Sequence, residues 1–551
     1  MAGKIFFPLK RLIKKNWPLV FSLLVFYLVL SVELMLSVSK NQGHLIYALD
    51  DAYIHMAMAK NMAQKGIWGV TRHGFTSSSS SLLWTGLLSL VYIFTGANEV
   101  VPFILNVLLA TAIICSVFYF LKINKVPPVY NLIILLALIF ITPLIPLVFI
   151  GMEHVLFIFL SINFLIQAAL LLSTENLSEK DYYKILALAS LLTITRYEGF
   201  FLIIAVCGLL LFRKDIKRAI LLGIWSWILP VIYGLISWSK GWLFFPNSVL
   251  LKASSITLKE KVHQLLFKLF INNNLINYLL PLILLIVIGL AILAMMMKSG
   301  KKIWHLPNVM ILIFCLSALF HLVFAQVGWF YRYESYLMGL GVFAISFALF
   351  EFSTKKVFTL SGKTKKLFIL IPVIFVVAIP FMLRSVTSLM KTPKATNNIY
   401  EQQYQMGLFV KKFYQGSSVA INDIGAINYL ADIDCVDLYG LANMEVIKAK
   451  LNGIYNTAKI ETIAKSNKAA IALIYDKWLE PFGGVPSGWV KVGEWIILDN
   501  VVCGDNKVSF YSLRLDEEPK LIDNLKRFSN QLPKDVIQSG KYIGLNQLAN
   551  Q

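Results

Sequence analysis

Along the first two-thirds of the chain, apolar residues run in blocks of about twenty, separated by short polar or basic stretches. A helix of that length is about 30 Å long, the hydrocarbon thickness of a bilayer. The blocks fall near 17–38, 100–121, 129–150, 153–172, 184–196, 198–212, 219–238, 275–297, 308–328, 336–353 and 367–387. They predict an all-α polytopic membrane region of about eleven transmembrane helices over residues 1–388. From residue 389 to 551 polar and apolar positions mix. Short β-rich runs at Ser418–Asn422, Ala470–Tyr475 and Trp495–Leu498 alternate with helical patterns at Ile399–Phe413 and Lys459–Ser466. This part reads as a soluble α/β domain, with a polar, partly helical tail from Asp516.

Two blocks break the rule. Leu82–Thr95 is apolar but short, and counting it as a crossing would put the loop at Lys122 and Lys125 on the wrong side. An in-plane or re-entrant helix is expected there, within an outer loop 39–99 that carries interfacial helices. The stretch from Lys184 to Phe212 holds Arg196 and Glu198 at its centre. One long helix would bury both charges at mid-bilayer, so two shorter helices meeting beside an outward cavity are expected.

Composition agrees: 58% of the 551 residues are hydrophobic and 15% charged. The net charge of +21 would suit a nucleic-acid binder, but the basic residues gather between apolar blocks. They lie before Trp17, at Lys122–Lys125, Arg213–Arg218, Lys298–Lys302 and Lys355–Lys366. Positive charge there retains loops in the cytoplasm, which removes nucleic acid as a partner. The N-terminus is expected inside, the first block an uncleaved span, and the C-terminal domain extracytoplasmic on a bacterial inner membrane. Cys115, Cys207 and Cys315 read as packing residues in apolar blocks. Cys435 and Cys503 in the outer domain are candidates for a disulfide.

Chemistry gathers at the outer ends of the blocks. DDAYIH, Asp50–His55, puts two carboxylates at the mouth of the membrane. They suit the start of an interfacial helix and also a general base facing water. Asp51 and His55, four apart, share one helix face. GMEH (151–154) brings Glu153 and His154 to an outer junction, TRYEG (195–199) carries Arg196 and Glu198, and FFPNSVLLK (244–252) carries Asn247 and Lys252. GWFYRYES (328–335) adds Tyr331 and Arg332, a cation on the side where basic residues are disfavoured. Carboxylates facing cations at a lipid boundary suit group transfer from a lipid phosphate.

In order and approximate spacing, DDAYI (50–54), SSSLLW (79–84), GMEH, TRYEG and PNSVLLK (246–252) resemble the GT-C superfamily of membrane glycosyltransferases. The likeness is greatest to the branch of the mycobacterial terminal arabinofuranosyltransferase, and NDIGAINYLADIDCVDLYGL (422–441) resembles the soluble part of that branch. Leu82 and Tyr197 stand where the branch has proline, and His154 where it has threonine. The resemblance implies an inverting glycosyltransferase that moves a sugar from a polyprenyl-phosphate donor to a hydroxyl of an envelope glycan, lipid or protein. It implies Asp50 as base with Asp51 orienting, and Arg196, Lys252 and Arg332 on the donor phosphate. His55, His73, Glu153, His154, Glu198, Asn247 and Tyr331 are then candidates for sugar or acceptor. No cofactor is required, although two carboxylates and a phosphate suit Mg²⁺ or Ca²⁺, with Asp50 and Asp51 as ligands. The rival classes are a transporter or flippase of lipid-linked sugars, and a scaffold that recruits partners through the outer domain.

Overall fold

The computed structural model describes residues 15–174, 179–252, 273–353 and 363–543. The basic cluster before Asn16 (Lys15 excepted), Lys355 and Lys356, and the last residues of the tail lie outside them. Among the described residues, eight helices are long and apolar enough to cross a membrane: Trp17–Lys40, Val100–Ile123, Pro128–Ile150, His154–Ser173, Ile216–Ser239, Tyr278–Lys298, Leu306–Phe324 and Ser335–Phe352. The chain is a multi-pass membrane protein.

The region around Arg196 is split as the charge argument requires. Helix α1 (Glu179–Thr195) and helix α2 (Gly199–Phe212) have 17 and 14 residues and meet at a tight turn. Their far ends come back together: Arg213 Nη1 donates to the Leu172 carbonyl at 2.7 Å, and Tyr182 donates to that of Arg218 at 2.6 Å. At this end of the bundle Lys122 Nζ also reaches Asn16 Oδ1 at 2.7 Å. The opposite end carries Asp50, Glu153, Arg196, Asn247, Arg332 and the C-terminal domain.

Leu82–Thr95 is a separate short helix whose ends both join that second end. Thr85 meets His55, and Tyr92 donates to the Asn98 carbonyl. Ser81 caps it by accepting from the Trp84 amide.

The compositional change near residue 388 falls inside one helix, Lys363–Ile399. It continues through a π-helical turn, Tyr400–Tyr404, into Gln405–Phe413, so membrane and soluble parts share a rod. Beyond it lies a six-stranded sheet in the order β2-β1-β3-β5-β4-β6. β1 (Ser418–Ile421), β2 (Asp434–Asp437) and β3 (Ile471–Ile474) run parallel, with Ile421 opposite both Asp437 and Leu473. β4 (Val490–Ile496), β5 (Lys507–Ser512) and β6 (Ile537–Gly540) complete it antiparallel. The tail holds a helix at Glu518–Phe528. Cys435 and Cys503 are free thiols, each with its own partner: Cys435 Sγ accepts from Asn428, and Cys503 Sγ donates to Gln403 Oε1 at 3.2 Å. The candidate Cys435–Cys503 disulfide is not formed.

Candidate active site

Helix α3 (Asp51–Lys65) starts on the acidic doublet and ends on Gly66 in the left-handed region. Acids at its first turn and glycine after its last are what a helix of this kind favours. The two aspartates point to different partners. Asp50, 6% exposed, accepts from the amides of Gly425 and Ala426 at 2.6 and 2.7 Å. Those amides begin a short helix of the soluble domain. A Cβ on Gly425 would sit 2.4 Å from Asp50 Oδ2, so only glycine lets the carboxylate this close. Asp50 also hydrogen-bonds the carboxyl of Asp423. Burial, then the facing carboxylate, holds Asp423 well above the usual range, so this acid keeps its proton.

Asp51 has 36% of its side chain exposed and pairs with Arg332 at 2.7 Å. Burial opposes its charged form, but Arg332 and Lys252 outweigh it, and its pKa falls below the ordinary value. Asp51 is thus ionised and open, whereas Asp50 is occupied and enclosed.

Arg332 is delivered by an unusual turn. Gly328, Trp329, Phe330 and Tyr331 have φ of 86°, 48°, 58° and 62°, four left-handed residues in a row. Three of them carry side chains, at about 1–2 kcal/mol each. The turn is held by Glu334, whose Oε2 accepts from the Gly328 amide at 2.7 Å and whose Oε1 pairs with Arg384 at 2.7 Å. Arg384 also donates to the Tyr331 carbonyl at 3.4 Å. Tyr331 packs on Tyr278 and under the Arg384 guanidinium, away from the other candidates.

Arg196 sits between two carboxylates, Glu153 at 2.6 Å and Glu198 at 2.5 Å. Glu153 is presented by the turn at Gly151 (φ 72°), where a Cβ would lie 2.4 Å from the Tyr47 ring. His154 Nε2 lies 3.5 Å from Arg196. His55 is driven toward its neutral form by burial, against the pull of Glu153 and Asp51. Its Nδ1 meets Thr85 Oγ1 at 2.7 Å, and its Nε2 lies 3.3 Å from Ser80 Oγ and 3.5 Å from Glu153 Oε2.

A cavity of about 770 Å³ opens from this cluster. Its outer end is polar: Ser80, Arg196, Glu198, Lys252, Gln326 and Tyr333. Its walls then follow α2 and Ile216–Ser239 through Ile204, Cys207, Leu211, Ala219, Gly223 and Trp227. The lining residues Phe200 to Leu211 span about 16 Å of helix.

Most of the sequence candidates converge. Asp51, His55, Glu153, His154, Arg196, Glu198, Lys252 and Arg332 form one set. His73 stands apart on an exposed loop. Asn247 is buried and donates to the Gly440 carbonyl at 3.0 Å, fastening the soluble domain. Sequence reasoning missed Tyr333, which stacks against Arg332, Lys252 and Arg196. It also missed Glu334 and Arg384, and the serines at 79 and 80, whose low-complexity run hid two partners of His55. Asp423 stands in the NDIGA stretch, where an acid before small residues was the available signal.

Asp50 and Asp51 face different partners in this structure. Both oxygens of Asp50 are taken by amides, and Asp51 is paired with Arg332. Among the described residues no group of three or more His, Cys, Asp or Glu is arranged around a metal position.

A family model described as a domain of unknown function (DUF8728) matches residues 397–511. No curated protein matches the chain by sequence. Among solved structures, ArnT from Cupriavidus metallidurans bound to undecaprenyl phosphate aligns with a TM-score of 0.51 at 11% identity, over 90% of this chain and 98% of that one. The archaeal oligosaccharyltransferase AglB from Archaeoglobus fulgidus, in complex with an inhibitory peptide and a dolichol-phosphate, aligns with a TM-score of 0.49 at 11% identity, over 96% and 76%. The chain has the GT-C-like fold, a helical membrane bundle with a sheet-containing C-terminal domain.

Proposed function

We propose that the protein is an inverting glycosyltransferase that uses a polyprenyl-phosphate sugar as donor. The observation that carries this reading is the cavity: cationic at its outer end and apolar along its length, it matches a phosphate head on a long hydrocarbon chain. The motif order of the chain favours the arabinofuranosyltransferase branch within GT-C. Basic loops at the far end of the bundle favour a cytoplasmic position for that end, and so an extracytoplasmic site on a bacterial inner membrane.

The base in this reading is Asp51, not Asp50. Its ionised, open carboxylate takes the proton of an acceptor hydroxyl. The oxygen attacks the anomeric carbon from the face opposite the phosphate, the glycosidic C–O bond to phosphate breaks, and the electron pair leaves with the polyprenyl phosphate. Lys252, which has no carboxylate partner among the described residues, is the first ligand for that phosphate. Arg196 and Arg332 frame it, since each already carries a carboxylate. Full-length protein in detergent with undecaprenyl-phosphate sugars is expected to release undecaprenyl phosphate; transport of intact lipid without cleavage would reject the enzyme in favour of a flippase.

Lys252→Ala is expected to raise the Kd for undecaprenyl phosphate by roughly tenfold or more, read by native mass spectrometry. An unchanged Kd removes Lys252 from the phosphate site. Because the Asp51 pKa is depressed, its base form persists on acidification and is lost only as pH falls through that low value. Arg332→Gln removes its closest cation and is expected to move the acidic limb of kcat/KM to higher pH. A stationary limb means the limb belongs to another group.

A further inference from the structure

Among the contacts of the soluble domain with the membrane half is the edge made by the carboxyl ends of its three parallel strands, beside further links from Lys60 to the Tyr429 carbonyl and from Arg72 to Asp432. Asp423 follows β1, Tyr439 follows β2, and Tyr475 and Trp478 follow β3. In open α/β sheets this edge is where ligands bind. It is fixed over the site by four links: Asp50 to the Gly425 and Ala426 amides, Ser78 to the Leu441 carbonyl at 2.9 Å, and Asn247 to the Gly440 carbonyl. Asp437 shapes the loop between, accepting from the amides of Tyr439, Gly440 and Ala442.

Tyr439 and Trp478 lie ring to ring at 5.2 Å, and both keep part of their surface open. Neither ring is loose. Lys450 Nζ lies 4.4 Å from the Tyr439 ring and donates to its carbonyl, and Trp478 Nε1 donates to the Gly504 carbonyl at 3.3 Å. Beside Trp478, the exposed Lys477 pairs with Asp505 at 2.9 Å. Gly440 and Leu441, the two residues after Tyr439, are the ones bonded to Asn247 and Ser78, which sets this ring beside the serine loop whose Ser80 lines the cavity.

We infer that Tyr439 and Trp478 form the acceptor platform, and that the acceptor is a saccharide. The inference rests on the transferase reading above. With the donor in the lipid cavity, Asp51 is approached from the side of the soluble domain. Lys450 covers one face of Tyr439 and Tyr475 packs on Trp478, and the parts of the two rings that stay open offer apolar contact to the C–H face of a pyranose, with Lys477 and Asp505 as partners for its hydroxyls. Both residues are positioning groups for the acceptor and stand outside the donor pocket.

The test uses the full chain in nanodiscs with undecaprenyl phosphate present. Saturation-transfer NMR is run with trimers of mannose, glucose and N-acetylglucosamine, and with a Ser/Thr-containing peptide. Saccharide signals are expected, falling about tenfold in Trp478→Ala and Tyr439→Leu and largely kept in Trp478→Phe. Undecaprenyl-phosphate binding should be unchanged in all three, which also reports folding. Binding of the peptide alone, of no trimer, or of trimers equally to wild type and both truncations overturns the saccharide platform. If wild type binds no undecaprenyl phosphate, the donor reading fails, and the saccharide signals then report the platform separately.

Discussion

An Asp51→Asn protein is expected to lose transfer by about 10²- to 10⁴-fold while still binding undecaprenyl phosphate. The amide keeps the shape of the side chain and can still accept from Arg332, so the fold should survive. What disappears is the negative charge and basicity that take the acceptor proton. The contrast with Asp50→Asn makes the result decisive. Asp50 receives two backbone amides at 2.6 and 2.7 Å, and an asparagine oxygen cannot serve both as well. That variant should lose about 1–3 kcal/mol from the attachment of the soluble domain and keep transfer within roughly tenfold. Turnover of donor by the two purified variants separates them. An active Asp51→Asn beside a dead Asp50→Asn would return the base to Asp50.

The second large effect is structural. Arg384→Ala should cost about 3–5 kcal/mol, because it strands Glu334 in a place where both partners are 0% exposed. The same change frees the left-handed turn at Gly328–Tyr331. Arg332 then loses its fixed position opposite Asp51, so transfer should fall in whatever fraction remains folded. Thermal unfolding in detergent reads the first effect and specific activity the second. A double variant, Arg384→Met with Glu334→Gln, removes both charges, keeps a group to accept from the Gly328 amide, and should regain part of the lost stability. Wild-type stability in Arg384→Ala would show that the pair does not hold the turn.

Much of the site was legible because chemistry at a membrane edge is conspicuous. A charge next to an apolar block costs energy unless it has a purpose, and this alone marks Asp51, Glu153, Arg196, Lys252 and Arg332. The split at Arg196 followed from the same cost. The role of each carboxylate was not legible. Asp50 and Asp51 are neighbours with one chemistry, and a difference of one residue on a helix turns one toward the soluble domain and the other toward Arg332. His73, a candidate through the resemblance, is exposed, and its backbone amide bonds only to Thr71 nearby. Tyr331 and Tyr333 look alike as rim aromatics, and only the turn shows that Tyr333 meets Arg196, Lys252 and Arg332 while Tyr331 meets Arg384.

The periodic apolar blocks, read alone, determined a multi-pass helical bundle, an α/β domain after it, and a charged rim between them. They could do so because burial in lipid acts on local sequence, block by block. Tertiary structure decided what depends on pairs far apart in the chain. The amides at 425 and 426 claim Asp50, the acid at 334 holds the turn before Arg332, and the helix from 199 to 212 lines a largely apolar cavity. No spacing rule encodes contacts across hundreds of residues, so the division of labour between the two aspartates exists only once the chain has closed on itself.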